Sequence, residues 1–319
     1  MILKTPLWKR TPPAIFPICL GYMGLGLAWR GSAEVLPIPP FIGGILLGLS
    51  TAFFLYFLAF YIAKLIGRPS VILDDLKVPP LRAGVAAIPM SMMLLAAALL
   101  PFNISVPQVW WAGVIMQYIA IFAVIYAIWK DPPEKRAFSP FMYLAFVGPV
   151  VGPIAGIKLG YATESLWLTI GALIAFVVIT VGYGIRLIKV VPAQPLRPSL
   201  AIVLAPISLF AMSFGQLGME GLFGFFYWFS WVGFIALVLL LPWMTKGGWT
   251  PMWGAITFPF AAFTNVQIQA VSKGYEFIAE VGVILGLAVA TPIVFYVLYR
   301  ATMDWVTGAL SEKTGAAVV

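Results

Sequence analysis

Side chains able to carry acid–base, nucleophilic or metal chemistry are scarce in this sequence. Histidine is absent, which removes His-ligated haem, the usual zinc and copper sites, and any imidazole proton relay. The single cysteine, Cys19, allows no intrachain disulfide. The eleven acidic residues, from Glu34 to Glu312, lie between apolar runs or near their ends, Glu276 and Glu280 at the outer entry of the last run. Proton- or sodium-coupled transporters keep a carboxylate or histidine within the membrane, and an intramembrane protease or transferase needs a set of acids, bases or metals. Neither set is visible, so the reading is not an enzyme, with no cofactor and no metal. The polar side chains left inside the apolar runs are neutral: Ser91, Ser208, Ser213, Thr257, Thr264 and Asn265. Singly they read as helix-packing groups; together they could line a weakly polar pore.

The elements that must position these groups are membrane helices. Of the 319 residues 62% are hydrophobic and 9% charged, against about 25% charged in a soluble domain. The mean hydropathy is +1.02. The net charge of +8 sits in short connections rather than along one face, which speaks for membrane orientation and against nucleic acid. Ten runs have the roughly 20 apolar residues a spanning helix needs: 12–30, 41–66, 82–101, 107–129, 139–158, 165–187, 197–216, 222–243, 251–270 and 278–301. Pro12, Pro13 and Pro17 break the first run and no small-x-small cleavage site follows, so it reads as a membrane helix and not a signal peptide. No soluble domain interrupts the series, and residues 1–319 form a single transmembrane domain.

Charge tests the count. With the N-terminus inside, sixteen of the lysines and arginines, Lys4 and Lys135 among them, fall inside, and only Arg30, Lys158 and Lys273 fall outside. The positive-inside rule wants such a bias, and it places both termini in the cytoplasm. Prolines then sort the runs. Odd-numbered runs carry Pro17, Pro89, Pro149 with Pro153, Pro206 and Pro259; among even-numbered ones only the tenth has an interior proline, Pro292. Proline kinks are tolerated where neighbours or a watery cavity satisfy the freed carbonyls. The expected architecture is therefore all-α: five helical hairpins, with an inner ring of five proline-kinked helices around a central pore and straighter helices facing lipid.

Four stretches carry a family resemblance. "CLGYMGLGLAW" at 19–29, "PLRAGVAAIPMSMML" at 80–94, "LRPSLAIVLAPISLF" at 196–210 and "WGAITFPFAAF" at 253–263 resemble the first, third, seventh and ninth helices of the tellurite-resistance/dicarboxylate transporter family. That family includes the slow anion channel of plant guard cells. The resemblance implies a homotrimer in the inner (plasma) membrane, each protomer holding its own pore, closed by a phenylalanine of the ninth helix. Phe258 matches that gate, and Gly21 matches the pore-lining glycine of the first helix. Pro17, Pro89, Pro149, Pro206, Pro259 and Thr257 complete the expected pore lining. The implied function is an anion channel or passive permease for small inorganic or carboxylate anions. The alternative is a coupled carrier for C4-dicarboxylates or sulfite, as some family members are described.

Overall fold

The computed structural model describes residues 5–133 and 136–319, so Lys4 and Lys135 of the charge count lie outside the described residues. Among the described residues every regular element is helical. In chain order these are α1 (Phe16–Ser32), α2 (Pro40–Gly67), α3 (Val71–Asp75), α4 (Pro79–Leu99) and α5 (Pro107–Lys130). A broken stretch follows: a π turn at Tyr143–Val147, a 3-10 turn at Gly148–Val151 and the short α6 (Pro153–Gly156). Then come α7 (Ala162–Lys189), a 3-10 stretch Gln194–Val203 leading into α8 (Leu204–Gln216), α9 (Glu220–Thr245), α10 (Gly254–Val271), α11 (Glu276–Thr307) and α12 (Ala309–Thr314).

Every one of the ten apolar runs holds a helical stretch, and seven stretches are long and apolar enough to cross a membrane. Their burial splits them in two. The most apolar windows of 79–102 and 194–216 are 83% and 89% buried, whereas those of α2, α5, α7 and α9 are 28% buried and that of α11 44%. The three shorter stretches, α1, the broken 143–156 and α10, are also mostly buried. The inner elements are thus the odd-numbered runs. The outer helices present large bare side chains, such as Leu239 (75% exposed) and Phe277 (78% exposed). Lipid tails accept such a surface and water does not. The chain is an all-helical polytopic membrane protein.

The prolines act in more than one way. Pro89 and Pro259 lie inside α-helices, α4 and α10. Pro17 instead stands in the first turn of α1, where its missing N–H costs nothing. Pro206 marks the passage from the 3-10 stretch into α8. Pro149 and Pro153 do more than kink: between them the helix changes from π to 3-10 to α. Pro149 has no N–H for the carbonyl of Ala145, four residues back. The Nε2 of Gln117, fully buried on α5, donates to that carbonyl at 2.8 Å and to that of Leu144 at 3.2 Å. Trp110 Nε1, two turns earlier on α5, donates to the Gly152 carbonyl at 2.8 Å. An outer helix therefore supplies side-chain donors to the broken segment, Trp110 adding to a Gly152 carbonyl that also accepts from the Gly156 N–H at 2.9 Å. Gln117→Leu leaves both carbonyls buried without that donor, a loss of about 1–3 kcal/mol. It is expected to lower the thermal midpoint of the detergent-solubilised protein, read by loss of monodisperse material after heating.

Candidate functional site

The inner elements enclose three cavities, each sharing lining residues with the next. An inner chamber is bounded by Pro17, Pro80, Phe141, Ile202 and Met252 among others. A central cavity of about 40 Å³ is lined by Leu20, Met90, Gly148, Pro206 and Pro259 together with neighbouring apolar groups, room for a few waters at most. An outer cavity of about 580 Å³ follows, lined by Gly24, Leu94, Ile154, Met212, Asn265 and others. Residues of all five inner segments line both the central and the outer cavity. Two side chains border both: Phe258 and Leu209.

Phe258 is 7% exposed and its ring rests on α1. A Cβ added at Gly24 would lie 3.0 Å from ring Cδ2 and 3.1 Å from Cε2, so only a glycine leaves the ring this seat undisturbed. Phe260, two residues on, points elsewhere. It is fully buried and meets Phe234 of α9 edge-on, with centroids 5.8 Å apart. Phe263 stacks on the same Phe234 ring at 4.1 Å. Phe260 and Phe263 therefore glue α10 to α9, and Phe258 alone of the three rings borders the cavities. Pro259 withdraws the N–H owed to Ala255, four residues earlier, and Ala255 lines the central cavity and the inner chamber.

The other expected lining residues divide. Pro17, Pro206 and Pro259 line the central cavity. Pro89 and Pro149 do not; their chain neighbours Met90, Gly148 and Val150 do. Thr257 is fully buried behind the lining, its hydroxyl donating to the Gly254 carbonyl at 2.7 Å and facing that of Pro17 at 3.5 Å. Gly21 sits in the seam between α1 and α10. A Cβ there would run into the Thr257 side chain and come within 2.9 Å of the Phe258 backbone nitrogen. Its place is a close helix approach rather than a cavity wall; Gly24, one turn along, does line the outer cavity, as does Gly31 farther along α1. Asn265 ties the two helices on that side, its Nδ2 donating to the carbonyls of Gly24 at 3.0 Å and Ala261 at 2.8 Å.

Charge is distributed unevenly along the axis. Among the described residues no lysine, arginine or carboxylate lines the central cavity. The outer cavity is lined by Arg30, Lys158 and Lys273, with Glu34 as its single carboxylate among the described residues. These are the three cations that the charge count sets outside, brought together from three different segments. Lys273 is held by Glu220 at 2.5 Å; Arg30 and Lys158 form no ion pair among the described residues. On the opposite side the buried Arg82 is neutralised by Asp131 at 2.7 Å. The arrangement offers an anion a cationic funnel and then an uncharged constriction.

No curated protein sequence matches the chain. Over residues 10–302 it does match the family profile described as voltage-dependent anion channel (SLAC1), and with that coverage the chain belongs to this family of anion channels.

Proposed function

We propose that the protein is an anion channel whose pore runs through each protomer along the line of cavities and is closed by the ring of Phe258. The observation that carries this reading is that one aromatic side chain, seated on a glycine, borders both the outer and the central cavity. An apolar constriction of this kind blocks physically and also excludes water. With no fixed charge at the constriction, selection favours anions that shed water easily, such as nitrate, gathered by the cationic outer mouth. Ten helices cross the inner membrane, both termini are cytoplasmic, and three protomers assemble. Pro17, Pro206 and Pro259 belong to the pore wall, while Gly21, Thr257, Pro89 and Pro149 support it from behind.

The decisive measurement is anion flux in proteoliposomes with and without an imposed pH gradient. A channel gives flux that follows the anion gradient alone; saturable uptake driven by the pH gradient would replace this reading with that of a coupled carrier. Topology has its own check. Reporters fused before residue 5 and after Val319 should both report cytoplasm, and a periplasmic signal from either would overturn the ten-helix arrangement.

The cationic funnel makes a further quantitative expectation. Arg30→Gln combined with Lys158→Gln should lower flux from the outer side by about tenfold at 10 mM ionic strength, where the screening length is about 30 Å. The difference should shrink toward nothing near 1 M salt, where that length is about 3 Å. A deficit that persists at high salt would mean the two side chains matter for structure and not for attraction.

A further inference from the structure

The cytoplasmic end of α11 carries a carboxylate with an unusual set of partners. Asp304 has a side chain only 13% exposed. Its Oδ2 accepts from the indole Nε1 of Trp249 at 2.7 Å, and both its oxygens accept from Lys313 of α12 at 2.9 and 2.8 Å. Hydrogen bonds with an ionised partner are about twice as strong as neutral ones. One carboxylate therefore clamps three pieces of chain: α11, α12, and the turn between α9 and α10.

That turn leads straight into the gate helix. Trp249 precedes the 3-10 turn Pro251–Trp253, and α10 starts at Gly254, one helical turn before Phe258. The link is stiff. Pro251 has a fixed φ, and Trp253 Nε1 donates back to the Gly248 carbonyl at 3.0 Å. The clamp also touches the pore wall. Lys313 and Trp249 line a cytoplasmic cavity that shares Pro80, Pro251 and Met252 with the inner chamber.

We infer that Asp304 is a positioning residue for the gate, holding the first turn of α10, through Trp249 and the α12 strap, in the register that keeps the Phe258 ring on Gly24. The inference rests on the gated-pore reading. Loss of the clamp frees the first turn of α10 and weakens the seat of the ring, so the resting pore leaks.

The test uses the full chain in proteoliposomes with nitrate as the probe anion. Asp304→Ala should raise flux about fivefold, at the low end of couplings between distant sites, and Lys313→Gln should raise it in the same direction by less. In a Phe258→Ala background Asp304→Ala should add nothing, because the ring it positions is gone. Where Phe258→Ala itself raises flux, unchanged flux in Asp304→Ala, or an equal gain with and without the Phe258 ring, overturns the inference. A second readout separates this from failure of the gate itself. Ala255→Cys places a thiol on the central cavity wall, while the native Cys19 is fully buried and stays silent. Faster labelling of that thiol in the Asp304→Ala protein supports the positioning role even if Phe258→Ala leaves flux unchanged, a result that sinks only the gate. Unchanged labelling overturns it. Should Asp304→Ala fail to fold, Lys313→Gln, whose side chain is 42% exposed, carries the same two readouts.

Discussion

Phe258→Ala is expected to raise anion flux by at least about tenfold, equivalent to removing about 1.4 kcal/mol from the barrier to permeation, with the protein still folded. Two observations set the sign. The ring borders cavities on both sides, so its removal joins them instead of opening a closed void in a packed core. Its seat is a glycine, so α1 contributes no side chain at that position that would collapse into the space. Phe260→Ala is the matched control. That ring is fully buried against Phe234, and truncating a packed phenylalanine costs roughly 3–5 kcal/mol in soluble cores. At equal protein in the vesicles Phe258→Ala should gain flux and Phe260→Ala should lose both flux and thermal stability. If both lower stability and neither raises flux, the ring of Phe258 is a packing element and the pore is closed elsewhere.

The second large effect separates two glycines one turn apart. Gly21→Asp is expected to abolish flux, and the structure says how. A side chain there meets the Thr257 side chain and the backbone of α10 at Phe258. Backbone has no rotamer by which to yield, so α1 and α10 must part, and overpacking of this kind costs about 1–3 kcal/mol or more even for a methyl group. The carboxylate adds the cost of a charge in a seam that has no cation to meet it. The expected signature is a protein that inserts poorly, is unstable in detergent and carries no current. Even Gly21→Ala should lower the thermal midpoint. Gly24→Ala should behave otherwise, because its new methyl meets no backbone: the nearest atoms are those of the Phe258 ring at 3.0–3.1 Å, then the Cβ of Ala261 at 3.2 Å. The ring gives way by a few tenths of an ångström and leaves its rest position, so flux should rise, at a smaller cost in stability than Gly21→Ala. A Gly21→Asp protein that is fully stable yet silent would put Gly21 on the pore wall after all.

The pair also marks how far the sequence was legible. Proline placement pointed to the runs that lie inside, because freed carbonyls need a neighbouring helix or a cavity to satisfy them; Pro242 of α9 and Pro292 of α11, inside outer helices, show that the signal is not absolute. The burial of 79–102 and 194–216 against α2, α5, α7 and α9 follows that division. Phe258 was picked out by the family resemblance of 253–263; a ring beside a proline would not single it out, since Phe16 and Pro17 make the same pairing in the first run. The facing residue on α1 could not. Positions 21 and 24 fall on nearly the same side of a helix, and which of them meets the ring depends on the tilt and register of α1 against α10. The break at 143–156 was visible as prolines and glycines, but its sequence of turn types was not, because it is fixed partly by Gln117 and Trp110 on another helix. A lone amide in an apolar run reads as ordinary packing until its partner is known. The clamp at Asp304 escaped notice for the same reason: Trp249 stands 55 residues from it in sequence, and each member is ordinary where it stands. Arg30, Lys158 and Lys273 were singled out only as exceptions to a topology rule, and their convergence on one cavity is a fact of the fold.

The uncharged lining of the central cavity has a consequence for the direction in which anions move. With no group there to take up a proton or sodium alongside the anion, the gated-pore reading leaves the electrical potential and the concentration gradient as the only drives. A potential of 100 mV, interior negative, is worth about 2.3 kcal/mol per elementary charge. That is an outward bias of about fiftyfold for a monovalent anion at equal concentrations. An open pore of this kind in an energised cell works as an exit. It would depolarise the membrane each time it opened, and a ring that rests closed on its glycine seat limits that loss to the moments when the ring is moved.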